Sequence, residues 1–219
     1  MKKRNDSKIT MAALMMMAAM AMTSCASSKK INGDSNVSKD SEMGKNEEDL
    51  DNSYLVLSDT QQDIVKKNNA FALRLFNKVT DMESKVISPM SVSYLMGMLA
   101  NGADGITQQE ILKAIGCEGV SVSDLNELYK AMLLTANKQD KQTTVNIANY
   151  IAVNKNFKLN KDFSQQVSDG YQAGIESLDF TSSKSTDRIN GWCKEKTNGM
   201  IPRIIDQVSA DAVSYLMNA

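Results

Sequence analysis

The sequence predicts an incomplete α+β domain behind an export leader and a polar linker. Three observations carry that prediction. The apolar period changes from about 3.6 to 2 near Val145. Several helical patterns face only two substantial strand patterns, and the last segment, 212–219, is apolar and strand-like up to Ala219. Elements in those proportions read as the first portion of a larger α+β architecture. The expected divisions are a leader at 1–24, a lipid-attachment cysteine and disordered acidic linker at 25–62, and the partial domain at 63–219.

The leader opens with Lys2, Lys3, Arg4 and Lys8 against Asp6 and continues as the apolar run 11–22. A helix of that run spans about 18 Å, short of a hydrocarbon core of about 30 Å, so it reads as an export signal rather than an anchor. Met22-Thr23-Ser24-Cys25 resembles a bacterial lipobox, in which Cys25 is lipidated and becomes the mature N-terminus. The other reading is a secretory signal cleaved at a site such as Ser24-Cys25-Ala26. Both place the protein outside the cytoplasm, as an envelope or cell-surface lipoprotein or as a secreted chain. From Ala26 to Ser53 the only apolar residues are Ala26, Ile31, Val37, Met43 and Leu50, with seven acidic against four basic side chains. Such a stretch buries too little apolar surface to offset its ordering entropy and is expected to act as a stalk.

The first helix is expected from Ile64, where Ile64, Phe71, Ala72, Leu75, Phe76 and Val79 recur at helical spacing. Val86-Ile87 reads as a very short strand, and Ser88-Pro89 as a helix start with a hydroxyl cap and a proline that loses no bond. The helix that follows is apolar on nearly every side (Met90, Val92, Tyr94, Leu95, Met96, Met98, Leu99) and is expected to be central and buried. Thr107-Gln108-Gln109-Glu110 forms a capping box for the next helix, which Gly116 ends. A fourth helix is capped by Ser121 or Ser123 and carries Leu125, Leu128, Tyr129, Met132 and Leu133.

Then Val145, Ile147, Ile151 and Val153 alternate with Asn146, Ala148, Tyr150 and Ala152, which reads as a strand of about eleven residues. Asn149 falls on its apolar face, so either it bonds a neighbouring element or that part of the face is solvated. A short helix from Asn160 or Lys161 to Tyr171, a strand at 174–180, a helix at 185–198 ended by Gly199, and the strand at 212–219 complete the order. The open edge expected at 212–219 makes the isolated chain aggregation-prone.

Composition excludes more than it suggests. The 219 residues contain no histidine, which removes Ser-His-Asp and Cys-His triads, HExxH zinc sites and imidazole bases. With 25 Lys+Arg against 26 Asp+Glu and no basic cluster, nothing suggests a nucleic-acid partner. Catalysis by a carboxylate pair would need a motif that is not present. Cys117 and Cys193 have no metal-ligand spacing, and their expected positions, a helix end and a distant helix, favour free thiols over a disulfide. No cofactor or metal is expected.

A set of residues in these elements resembles the serpin family. Asn69-Ala70-Phe71-Ala72-Leu73-Arg74-Leu75-Phe76 is similar to its first helix, and Val86-Ile87-Ser88-Pro89-Met90-Ser91-Val92 to its short strand and second helix. Met98-Leu99-Ala100-Asn101-Gly102-Ala103 and Thr107-Gln108-Gln109-Glu110-Ile111 continue the pattern. Ile147-Ala148-Asn149-Tyr150-Ile151, Asp179-Phe180, Ile189-Asn190-Gly191-Trp192 and Lys196-Thr197-Asn198-Gly199-Met200-Ile201 follow in the same order.

The resemblance implies the N-terminal half of a serpin, reaching the third strand of the large central sheet near Asn218. Serpins inhibit serine or cysteine proteases as suicide substrates, through a reactive-centre loop that inserts into that sheet. The loop lies near the family's C-terminus and is expected outside this chain, which by itself is expected not to inhibit; a truncated binding lipoprotein or a remnant is the alternative. By resemblance, Ser88, Ser91 and Asn218 match the family's shutter, a hydrogen-bond cluster beneath the place where the sheet parts. Ser88 is also a helix cap, and Asn218 can equally be an ordinary polar residue. Trp192 lies on the helix that crosses the front of the sheet, either as part of an element that moves or as a packing aromatic.

Overall fold

The computed structural model describes residues 55–81, 84–136 and 142–219. In chain order the elements are α1 (Asp59–Val79), α2 (Pro89–Asn101), α3 (Gly105–Ala114), α4 (Val122–Thr135), β1 (Asn149–Asn154), α5 (Lys161–Tyr171), β2 (Gly174–Leu178), α6 (Ser183–Lys196) and β3 (Ser214–Asn218). The leader at 1–24, Cys25 and the linker as far as residue 54 lie outside the described residues.

Period-two alternation organises the molecule. β1 is buried at all of its positions because it is the middle strand of the order β2-β1-β3. Ile151 and Val153 enter one core with α1 to α5, while Tyr150 and Ala152 enter a second core with Ile189, Trp192 and Cys193 of α6. β2 runs parallel to β1 after the α5 crossover, and β3 returns antiparallel with Asn149 opposite Asn218 and Tyr150 opposite Met217. Among the described residues β3 is an edge strand.

Local chemistry explains most element ends. Ser58 and Gln61 form a reciprocal capping box, so α1 starts at Asp59, ahead of the apolar stripe that begins at Ile64. Ser88, Ser121 and Asn160 cap α2, α4 and α5. α3 ends in a Schellman turn: the Cys117 N–H donates to Leu112 O at 2.8 Å and the Gly116 N–H to Lys113 O at 3.0 Å. That turn places residue 116 at φ +80°, where glycine carries no side-chain penalty.

Four expectations need correction. The Thr107 box does not start α3; the Asp104 carboxylate accepts from the Gly105 N–H at 2.7 Å, a charged acceptor that reaches a free donor earlier. Gln108 is committed instead to Ala100 O and Ala103 O. Val86-Ile87 forms no strand, because among the described residues no strand lies alongside to complete a ladder. The eleven-residue strand is the six-residue β1, with the Ala148–Ala219 backbone pair just outside it. α2 is central, packing against α1, α3, α4, α5 and β3, yet Met90 and Leu99 stay 45% and 44% exposed.

Behind α2, Tyr94, Tyr129 and Tyr171 meet edge to face or tilted at 4.8–6.3 Å. Gly97 makes room for them. A Cβ there would lie 2.3 Å from the Tyr171 hydroxyl and 3.1 Å from the Tyr129 ring. The Tyr171 ring cannot swing aside freely, because it is fully buried and its hydroxyl donates to Asn126 Oδ1 at 2.8 Å. Gly97→Ala gains about 1 kcal/mol of helix propensity, but overpacking costs about 1–3 kcal/mol. A net loss of stability is therefore expected in urea denaturation, and a net gain would show that the tyrosine cluster is loosely packed.

Candidate functional site

The polar residues singled out from sequence gather where α2 approaches the sheet, but as two separate pairs. At the start of α2, Ser88 Oγ accepts from the Ser91 N–H at 3.3 Å and lies 2.8 Å from Ser91 Oγ, both side chains half-buried. In the sheet, the Asn218 Nδ2 donates to Asn149 Oδ1 at 2.8 Å, and the Asn149 Nδ2 donates to Tyr171 O at 2.7 Å. Both asparagines are buried. Asn149 is therefore bonded rather than solvated, and it links β3 through β1 to the end of α5. Among the described residues no hydrogen bond joins the serine pair to the asparagine pair. Ser88 also serves as the cap its position suggested.

On the opposite face, Trp192 packs as an aromatic: its ring stacks on Tyr150 at 5.0 Å with an 18° interplanar angle. Sequence reading did not identify the polar group beside that stack. Glu176 of β2 accepts from the Tyr150 hydroxyl at 2.8 Å and from Arg188 Nε at 3.1 Å, and Arg188 Nη2 lies 2.7 Å from its second oxygen. Desolvation pushes the Glu176 carboxyl up, but the Tyr150 hydroxyl and the Arg188 guanidinium outweigh it and hold it below its usual value. Burial, with Glu176 as acceptor, pushes the Tyr150 hydroxyl well above the usual tyrosine range. Local patterns gave no signal for this group, because its members come from three elements.

Asn190, inside the Ile189-Asn190-Gly191-Trp192 motif, holds the chain after α6. Its Oδ1 accepts from the Ile204 and Ile205 N–H groups at 2.8 and 3.1 Å, and its Nδ2 donates to Ile205 O at 2.9 Å. A polar residue inside an apolar helical stripe is the sequence signal that could have found it.

Both remaining cysteines in the described region are free and buried. Cys117 Sγ donates to Asn68 Oδ1 and Cys193 Sγ to Ile201 O, and burial pushes both thiols above their ordinary value, away from a reactive thiolate. Among the described residues no group of three or more His, Cys, Asp or Glu is placed to hold a metal. No helix there is long and apolar enough to cross a membrane.

Asp179, in the turn before α6, accepts from Lys155 Nζ at 2.7 Å and from the Thr181 hydroxyl and N–H at 2.6 and 3.1 Å. Those bonds, Lys155 first, hold its carboxyl down to about 2. A depressed carboxyl stabilises the fold fully above its unfolded value of about 3.9, and that stabilisation is lost as pH falls toward the folded value. The difference in urea midpoint between the parent and Asp179→Asn is expected to be constant above about pH 5 and to shrink below about pH 4. A difference that does not change with pH would remove Asp179 as the titrating group.

The family model for Serpin (serine protease inhibitor) matches residues 66–219. The chain belongs to the serpin family. Among curated serpins it is 31% identical over 159 residues to Iripin-1 of Ixodes ricinus, covering 69% of this chain and 41% of that protein. Over 182 residues it is 27% identical to alpha-1-antiproteinase of Rattus norvegicus, covering 80% and 44%. The thermophilic serpin tengpin superposes in its latent state with a TM-score of 0.65 at 35% identity, covering 75% of this chain and 44% of that one. Its native state gives 0.64 at 34%, covering 72% and 40%. The chain thus spans less than half the length of these serpins, and its helices and partial sheet have the serpin arrangement.

Proposed function

We propose that residues 1–219 are the N-terminal part of a membrane-anchored bacterial serpin whose complete form inhibits a serine or cysteine protease by inserting its cleaved reactive loop into the central sheet. One observation carries this reading: the chain matches the family over 66–219 and pairs Asn149 of β1 with Asn218 of β3, the strand that by resemblance is the third of the large central sheet. A strand that enters a sheet gains a backbone ladder with its new neighbours, which is the physical basis of strand insertion. Ser88, Ser91 and Asn218 are assigned to the shutter, which controls parting of the sheet. The basic leader, the apolar run and Cys25 support anchoring by a lipid on the mature N-terminus, with the linker as stalk.

The protein with its C-terminal remainder is expected to form a covalent, detergent-stable complex with a target protease, while the 219-residue chain forms none. Plain cleavage of the longer protein without any complex, across serine and cysteine proteases, would overturn the inhibitory reading. Cys25→Ala is expected to move the protein from the membrane to the soluble fraction; unchanged membrane association would remove the lipid anchor.

A further inference from the structure

We propose that Tyr171 is a positioning residue that ties the Asn149–Asn218 pair of the sheet to a second amide pair, Asn101–Asn126, between α2 and α4. The second pair is reciprocal: Asn101 Nδ2 donates to Asn126 Oδ1 at 2.9 Å, and Asn126 Nδ2 donates to Asn101 Oδ1 at 2.8 Å. Asn101 Nδ2 also donates to Gly97 O at 2.8 Å, which fastens the pair to the last turn of α2. Asn126 Oδ1 accepts in addition from the Tyr171 hydroxyl at 2.8 Å. Two glycines admit that bond. A Cβ on Gly97 would lie 2.3 Å from the hydroxyl, and a Cβ on Gly170 would press on the Asn126 side chain at 3.3 Å.

Tyr171 is therefore held at both ends. Its carbonyl lies in the last turn of α5, where carbonyls lack intrahelical partners. Gln172 leaves the helix at φ +50°, and its N–H and that of Ala173 both go to Val167 O. The Asn149 amide supplies the missing donor to Tyr171 O at 2.7 Å. Between these two bonds the ring is fully buried and packed edge to face against Tyr94 and Tyr129. A close-packed interior transmits displacement, so a shift at the hydroxyl reaches the carbonyl. A continuous path runs from Asn101 of α2 through α4 and α5 to Asn149 of β1 and Asn218 of β3. Its consequence for parting of the sheet rests on the inhibitory reading above; the coupling itself does not.

A double-mutant cycle in urea denaturation of the 219-residue chain tests the coupling without a protease. Asn218→Ala is expected to lower the folding constant about ten-fold in the parent, and only about three-fold once Tyr171→Phe has released the hydroxyl end. In the Asp179→Asn background, whose bonds lie at the other end of the strands, the loss should remain about ten-fold. Hydrogen exchange of Tyr171→Phe alone gives a second reading that needs no doubly altered chain. Amides of β3 should exchange about three-fold faster, while those of α6 keep their parent rates. The same loss from Asn218→Ala in all three backgrounds would overturn the proposal. So would unchanged exchange in β3, or an equal acceleration in β3 and α6, which would mean that the Tyr171 hydroxyl contributes only to global stability.

Discussion

Trp192→Ala is expected to destabilise the protein by about 3–5 kcal/mol, the range for truncating a large buried aromatic. Trp192 is 5% exposed and sits in a small core with Tyr150, Phe180, Ile189, Val208 and Met217, which leaves few neighbours able to collapse into the space. Its stack on Tyr150 adds about 0.5–1.5 kcal/mol beyond area burial. Trp192→Phe retains part of both contributions and should cost less. Because Trp192 is the only tryptophan, unfolding has to be followed by far-ultraviolet circular dichroism rather than by its fluorescence. A loss under about 1 kcal/mol would contradict the tight packing described for this core.

Asn149→Ala is expected to cost about 2–4 kcal/mol, because it strands two buried groups at once, the Tyr171 carbonyl and the Asn218 amide. Asn218→Ala removes only one bond of the relay, leaving Asn149 still joined to Tyr171, and should cost about 1–2 kcal/mol. The ordering tests the arrangement more sharply than either magnitude. If Asn218→Ala proved as damaging as Asn149→Ala in urea denaturation, Asn149 would not be the bridge between β3 and α5. Ser88→Ala is expected to cost about 1 kcal/mol as a lost helix cap, whatever its part in sheet opening.

Sequence by itself determined what depends on residues close together in the chain. Ser88 caps α2 as read and Ser121 proves to be the cap of α4 from the two candidates offered, because a cap needs only an oxygen two or three positions from a free N–H. Gly116 stops α3 for a similarly local reason, and the alternation around Tyr150 and Ile151 identified a strand, though not its length. The motifs quoted from the helices and from β1 were enough to place the chain among serpins before any contact was known. Asn149 was legible as a buried polar group in need of a partner, because its position in the alternation put it on the apolar face.

Tertiary structure decided which partners met. The asparagines of the Asn149–Asn218 pair lie 69 positions apart and face each other only because β3 returns antiparallel in one particular register. Tyr150, Glu176 and Arg188 come from β1, β2 and α6, and no local pattern marks a carboxylate on an edge strand as the group that holds a helix. The division into two cores also appears only once β1 is known to be the middle strand, since alternation along a chain cannot show that both faces are covered. Caps and periods are properties of a few successive residues, whereas register and crossover fix contacts between segments whose separation in sequence carries no information about their distance in space.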